Sequence, residues 1–332
     1  MHDHSLQNKD SIFPFTLESQ ADACDFLFGK GRNIMMSKKE QSIEILRKNI
    51  KIFKCPICHS AVKIWEQKSV VCLNNHTFDV AKQGYVNMMA QSSNKYYDQK
   101  LFAARQELTN NSDVYTFFHK KIADIVEDSL NNPKKNILLD AGCGEGSHLQ
   151  NILAGGHHDL TTAVGVDIAK EGIVKAAKTD SNSTWLVGDI ANIPLVDGSC
   201  HVVLNILSPS NYTEFKRVLA PEGRVVKVVP QANYFRELRE VFLPDRVTYR
   251  NMETVSLFQQ HFHLLKRDRI KYTKAVNREE LKNVVHMSPL SWHVGKQQWQ
   301  TLINQDSFEI TIDVDVLVGT HKRENGGDMT WN

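Results

Sequence analysis

The run Asn136-Ile-Leu-Leu-Asp140-Ala-Gly142-Cys-Gly144-Glu145-Gly146 puts an acid at the end of an apolar strand and then three glycines at alternate positions. Glycine serves a backbone that must turn with positive φ and approach a ligand with no Cβ in the way. The run therefore predicts a loop whose amides converge on a small charged molecule. Ser147 to Leu153 is expected to begin the helix that follows. A dinucleotide loop would space its glycines G-x-G-x-x-G; these run G-x-G-x-G, which favours the amino-acid end of S-adenosylmethionine. Cys143 could act as a nucleophile, but the loop packs it beside the cofactor rather than at the methyl end, so a packed thiol is the preferred reading.

Downstream segments supply the elements that such a loop needs. Thr162-Ala-Val-Gly-Val-Asp167 reads as a second buried strand, ending in an acid about one βαβ unit on, where a carboxylate can take both ribose hydroxyls. Trp185-Leu-Val-Gly-Asp189-Ile190 reads as a third; Asp189 could accept from the adenine amine while Ile190 packs on the ring. His201-Val-Val-Leu-Asn205 makes a fourth, running into Ile206-Leu-Ser-Pro209 where a ligand crevice forms in such sheets. After a helix, Leu219-Ala-Pro-Glu-Gly223 is expected as a turn feeding the strand Arg224 to Val229. Any one Asp at a strand end is more often a cap. Three in this order predict an α/β class I S-adenosylmethionine-dependent methyltransferase fold, Rossmann-like, with a mostly parallel seven-stranded sheet.

Cys55-Pro-Ile-Cys58 and Cys72-Leu-Asn-Asn-His76 form a second constellation. Two tight ligand pairs about a short alternating segment, Ala61 to Val71, predict a zinc ribbon whose metal closes a small hairpin. Four protein ligands fill a tetrahedral site, so the zinc is expected to be structural. A redox C-x-x-C is the rival, but it leaves Cys72 and His76 unexplained. The ribbon has too little chain for a core of its own, and the metal would supply the missing stability. Cys24, Cys143 and Cys200 share no spacing and read as incidental or packed thiols, consistent with a reducing compartment.

With 332 residues the chain can hold two domains, and its net charge of +2 is unremarkable. Basic residues outnumber acidic ones from Glu214 to Lys282, most densely in Lys266-Arg-Asp-Arg-Ile-Lys-Tyr-Thr-Lys274. With Tyr272 interleaved, that run suits an RNA backbone, against the bland reading of a solvated face on a late antiparallel strand. Residues 1–34 are polar and aperiodic and read as a leader or cloning remnant ahead of a natural start near Met35 or Met36. No secretory or spanning run is visible, so a cytoplasmic protein with no membrane partner is expected. The expected organisation is 1–50, extension and short helix (Ser42 to Ile52 helical); 51–90, zinc ribbon; 91–134, a polar linker at Gln91 to Lys100 and a helix from Leu101 to Leu130; and 135–332, the cofactor domain. A homodimer is an expectation that no particular residue carries.

The ribbon, followed by Phe78-Asp79-Val-Ala81-Lys82-Gln-Gly84-Tyr85-Val86-Asn87, then Ala104-Arg105, then the Asp140 to Gly146 loop, resembles the RlmA-type 23S ribosomal RNA (guanine-N1)-methyltransferases. The resemblance runs from about Ser37 onward and takes in Ala176-Ala177-Lys178, Pro230 with Glu237-Leu238, and Met287-Ser-Pro289 with Trp292. It implies methyl transfer to N1 of a guanine in a hairpin of 23S ribosomal RNA near the macrolide-binding exit tunnel. By position it implies Cys55, Cys58, Cys72 and His76 as zinc ligands, Gly144 and Glu145 in the cofactor loop, and Tyr115 reaching the cofactor from the preceding helix. An aromatic face near a sulfonium gains from cation–π attraction, although a core-packing tyrosine fits the same position. Tyr234 falls where some members carry a histidine beside the cofactor.

Guanine N1 carries a proton in the neutral base, so methylation there requires that proton to leave as the methyl approaches in line. Asn205 is expected at the cofactor or target base in a positioning role, since an amide cannot serve as base; a turn-forming strand end is the alternative. His201 reads as a structural histidine, and no catalytic base is assigned. Two other readings stand beside this one: an enzyme of the same fold acting on a small molecule or protein, and a non-catalytic zinc-ribbon RNA-binding module.

Overall fold

A computed structural model of the chain describes residues 36–89, 99–130, 136–155, 161–243, 250–288, 290, 295–303 and 307–322. The leader expected at 1–34, most of the segment from Gln91 to Lys100, and Cys24, Pro289 and Trp292 lie outside them. From Ser37 onward the chain makes one compact unit.

Ser37 caps α1 (Lys38–Asn49), its hydroxyl accepting from the Glu40 amide while the Glu40 carboxylate takes the Ser37 N–H. A short 3-10 turn, Ile50–Ile52, leads into the ribbon, where β1 (Val62–Trp65), β2 (Ser69–Cys72) and β3 (Thr77–Asp79) pair antiparallel in that order. β4 (Tyr85–Asn87) follows, then α2 (Gln99–Asn111) and α3 (Thr116–Ser129). The single helix expected from Leu101 to Leu130 is thus two. Ser112 turns its hydroxyl back onto Leu108 O at 2.6 Å, a bond that competes with helix continuation, and the chain restarts after Tyr115.

Alternation then sets in with β5 (Asn136–Ala141), α4 (Ser147–Ala154), β6 (Thr161–Asp167), α5 (Lys170–Thr179), β7 (Thr184–Val187), β8 (Cys200–Ile206), α6 (Tyr212–Val218) and β9 (Leu219–Pro230). The expected turn at Leu219 to Gly223 belongs to β9, because Leu219 already pairs with Cys200 before a register shift. α7 (Arg236–Phe242), α8 (Met252–His261), β10 (His263–Asn277), α9 (Arg278–Met287), α10 (Lys296–Ile303) and β11 (Ser307–Thr320) complete the chain.

The main sheet has eight strands in the order β10-β11-β9-β8-β5-β6-β7-β4. From β4 to β9 neighbours run parallel, while β11 and β10 add antiparallel at the far edge. Parallel strands bury both faces, which is why β5 is buried throughout. Leu138 and Leu204 enter the apolar layer on one face, Leu139 and Val203 the layer on the other.

Seven strands are those expected of the cofactor fold; the eighth, β4, comes from the segment assigned to the ribbon. Tyr85, Val86 and Asn87 pair with Trp185, Leu186 and Val187. The ribbon is stitched on elsewhere as well: Lys54 N–H donates to Pro194 O at 3.1 Å, Val196 N–H to Ile52 O at 2.9 Å, and Asn192 Nδ2 to Pro56 O at 2.8 Å. Chain order reverses about β5, and that switch point opens a crevice at the carboxyl ends of the strands.

Candidate functional site

β5 delivers Asp140 and then breaks at Gly142, whose φ of +82° is costly for any residue with a side chain. A Cβ there would lie 2.0 Å from Ser208 Oγ, so the loop touches the turn after β8 through the missing side chain. Gly142 and Cys143 donate their amides to Val166 O at 2.8 and 3.2 Å, and Gly144 N–H donates to Asp167 Oδ2 at 2.8 Å. Asp167 Oδ1 accepts from Ala169 N–H at 2.7 Å. That acid therefore braces the loop from the end of β6 while also lining the cavity.

Asp140 is 2% exposed, and its Oδ1 has no hydrogen-bond partner. Burial, reinforced by the charges of Asp167 and Glu145, pushes its carboxyl up to about 8. A buried acid with an open oxygen beside a glycine loop fits a cationic amino group, which restores the missing partner. Glu145 lies behind the loop and forms an ion pair with Arg105 of α2 at 3.6 Å. Burial raises its carboxyl while Arg105 opposes the shift. Gly146 is also behind the loop, where a Cβ would meet the Trp185 ring at 2.5 Å. Asp140, Gly142 and Gly144 thus face the cavity, whereas Glu145 and Gly146 support it from outside.

The cavity holds about 540 Å3. At one end lie Asp167, Asp189 and Ile190, with Asp189 Oδ1 accepting from Ala191 N–H at 2.8 Å. Tyr115 and Tyr234 share another wall, their hydroxyls 3.2 Å apart. Burial raises both phenols, Tyr234 to about 12, so neither ionises near neutrality. Against the Tyr115 ring stands His148, whose Nδ1 is 2.9 Å from Nε2 of His119. Burial pushes His119 down to about 4 and His148 well below its ordinary value, leaving a neutral imidazole pair.

Asn205 is placed differently from expectation. It is fully buried under the loop and off the cavity wall, donating to Ala141 O at 2.5 Å and Pro209 O at 3.0 Å. Its Oδ1 accepts from Ser210 Oγ and from Lys227 Nζ, and Lys227 also donates to Ser208 O at 2.6 Å. Asn205 is a strut between loop and turn. The reason is steric: the side chain of a mid-sheet strand end points into the neighbouring loop once that loop folds over it. His201 likewise behaves structurally, accepting the Ile137 amide at 3.1 Å. Sequence reasoning left Arg105, His148 and Arg239 without a role, although all three line the cavity. The sole trace was Ala104-Arg105 within the family resemblance.

In the ribbon, one ligand atom from each of Cys55, Cys58, Cys72 and His76 lies within 4.8 Å of the others. Cys58 Sγ is 3.6 Å from Cys72 Sγ, and His76 Nδ1 is 3.5 Å from Cys55 Sγ and 3.4 Å from Cys72 Sγ. Backbone amides of Ile57 and His76 donate to Cys55 and Cys72 sulfurs at 3.4 and 3.3 Å, orienting the knuckles as second-layer partners of a metal. Hydrogen bonds from Ser60 pull Cys58 down to about 5, while burial pushes Cys55 up to about 11, so the donor geometry and not the thiol acidities carries the metal reading. Three sulfurs and one imidazole at these spacings fit a closed tetrahedral Zn2+ site.

Residues 53–93 match the zinc-ribbon family model described as RlmA, N-terminal, and residues 138–223 match that of a methyltransferase domain. The second stretch runs from β5 into β9 and contains the glycine loop and the ordered acids, so the protein is an S-adenosylmethionine-dependent methyltransferase, with a zinc ribbon ahead of the catalytic fold. Among relatives, YxjB of Bacillus subtilis, named as a 23S rRNA (guanine-N(1)-)-methyltransferase, is 36% identical over 81% of this chain and 96% of its own length. The 23S rRNA (guanine(748)-N(1))-methyltransferase of Streptomyces fradiae is 27% identical over 83% and 95%. The chain belongs to this RlmA-type family of 23S ribosomal RNA (guanine-N1)-methyltransferases.

Proposed function

We propose that this protein methylates N1 of a guanine in a hairpin of 23S ribosomal RNA, with the cavity at the carboxyl edge of the sheet as its active site. When bound there, S-adenosylmethionine supplies an electrophilic methyl group. Asp140 receives the amino group that its open oxygen calls for, and the Gly142–Gly144 backbone admits the amino-acid end. Asp167 takes the ribose hydroxyls, and Asp189 accepts from the adenine amine with Ile190 against the ring. Tyr115 and Tyr234 present neutral aromatic rings suited to a nearby sulfonium. Glu145, Gly146 and Asn205 act at one remove by holding loop and turn in place.

The observation that carries the RNA reading is the stitching of the ribbon to the Asn192–Val196 segment, which directly follows Asp189 and Ile190. A basic, metal-pinned module tied to the cofactor corner has a purpose when the acceptor is a folded polyanion and little when it is a metabolite. Lys51, Lys63 and Lys68 are all exposed in this part of the chain, and Trp65, 52% exposed, carries Lys63 Nζ over its ring at 5.2 Å. Aromatic and cationic groups in this combination hold unpaired bases and phosphates. N1 normally pairs, so the base must be unpaired or extruded to enter the cavity.

Incubation with methyl-labelled S-adenosylmethionine and unmodified 23S RNA, followed by digestion to nucleosides, tests the proposal. Label is expected in 1-methylguanosine. Label in another nucleoside, or only in metabolites or protein, would overturn it.

A further inference from the structure

Six residues other than glycine have positive φ among those described, and four of them, His59, Glu66, Gln67 and Asn75, sit in ribbon turns. The other two are Leu207 at +49° and Phe235 at +52°, and both line the cavity. A branched or aromatic side chain in the left-handed region is costly and persists where the surroundings impose it, which happens most at functional sites. Lys227 and Asn205 clamp the Leu207–Pro209 turn from below. Opposite, Tyr234 and Phe235 stack at 4.3 Å with 28° between planes, and Phe235 caps the start of α7. These two strained turns bound the part of the cavity away from Asp167 and Asp189.

Chemistry divides the same way. Carboxylates gather at the cofactor end, and Arg105 answers them through Glu145. The other arginine on the wall is Arg239 of α7, one turn beyond Phe235, anchored by a hydrogen bond from Nη2 to Ala232 O. Gln231 also lines this half, but its amide donates to Asp315 at 2.7 Å. The wall therefore offers an aromatic and aliphatic slot with a guanidinium at its margin. Guanine alone among the bases carries two acceptors, O6 and N7, at the spacing of a guanidinium fork. Its N1 lies next to O6, so a fork on that edge leaves N1 free to point toward the cofactor half.

Building on the guanine reading above, we propose that the target base occupies the slot between the Leu207–Pro209 and Tyr234–Phe235 turns and that Arg239 selects guanine there by donating to O6 and N7. Arg239 is a specificity residue: it touches the base, and S-adenosylmethionine binds without it.

The test uses the full-length enzyme and an RNA hairpin whose methylated guanine is replaced by 7-deazaguanine, which keeps N1 and O6 and loses only N7. Wild-type kcat/KM is expected to fall about 10- to 100-fold on the deaza hairpin. Arg239→Met is expected to lose a similar factor on guanine, to show no further loss on deazaguanine, and to bind S-adenosylmethionine with wild-type affinity by calorimetry. Arg239→Lys should restore little, because a point charge cannot make the fork. A wild-type enzyme indifferent to deazaguanine overturns the proposal without reference to any variant. So does a variant that pays the full deaza penalty again, or one whose loss is of cofactor affinity instead. Failure of the wild type to methylate the ordinary hairpin at a guanine N1 would strike the functional reading itself, a separate outcome.

Discussion

Asp140 shows how one residue can carry both the fold's cost and its use. Its carboxyl is buried, has an open oxygen, and titrates near pH 8 in the free protein, far above an unfolded carboxyl near 3.9. Between those values the folded state holds a proton that the unfolded state has released, so stability falls as pH rises from about 4 to about 8 and levels off above. A cationic amino group placed against the carboxyl reverses the preference and expels the proton. Binding of S-adenosylmethionine at pH 7 is therefore expected to release close to one proton, and affinity should rise with pH until about 8. Calorimetry in buffers of different ionisation enthalpy measures the release; Asp140→Asn should abolish it. Binding with no proton release in the wild type would remove Asp140 from the amino-group role. Asp140, Gly142, Gly144, Asp167 and Asp189 were legible because strand ends and glycine spacing are local patterns. Arg105 and Arg239 were not, since each reaches the cavity by long-range packing that leaves no spacing behind. His148 follows the glycine loop directly in the first turn of α4, but a lone histidine there names no chemistry, and Asn205 was misplaced because residue type does not tell which way an amide points.

Elements differ in how far local sequence determines them. The ribbon, α4, β6, β7 and β8 follow from ligand pairs and apolar runs of matching length. β4 did not, because three residues carry too little pattern to reveal whether they pair within a ribbon or with β7 some hundred positions on. That pairing changes what the zinc stabilises. Phe53 bridges Leu195, and the amide of Lys54 and carbonyl of Ile52 hold the segment that follows Asp189 and Ile190. Stripping the metal should free the Cys55–His76 knuckles, loosen these bonds, and let the adenine end of the cavity relax. Zinc chelation, or Cys72→Ser, is thus expected to lower the melting temperature by several degrees and to weaken S-adenosylmethionine binding several-fold, even though no zinc ligand lines the cavity. Thermal scanning and calorimetry before and after metal re-addition check both. Loss of ribbon signals with cofactor affinity unchanged would mean that the two parts fold independently.

At the scale of the whole molecule, charge must be counted after pairing. The run Lys266 to Lys274 looked like the strongest basic feature of the chain, yet four of its five basic residues meet acids. Arg267 and Arg269 meet Asp315 and Asp313, which are 2% and 0% exposed, while Lys266 and Lys274 meet Asp268 and Asp113. An acid buried in β11 cannot be seen from β10's sequence, which is why the run invited an RNA reading. Lys51, in the turn leading into the ribbon, is exposed, Lys63 is exposed over the Trp65 ring, and Lys68 reaches Glu66 only at 3.9 Å with both side chains mostly in solvent. Each lysine on an RNA phosphate releases a counterion and adds about 0.7–0.9 to the slope of log affinity against log salt. Replacing Lys51, Lys63 and Lys68 by alanine should therefore lower that slope by roughly 2, whereas Lys266→Ala with Lys274→Ala should shift it by well under 1. Titrations of the 23S hairpin across a salt series separate the two surfaces. A larger drop from the β10 pair would move the RNA path to the far edge of the sheet and leave the ribbon as a brace for the cofactor end alone.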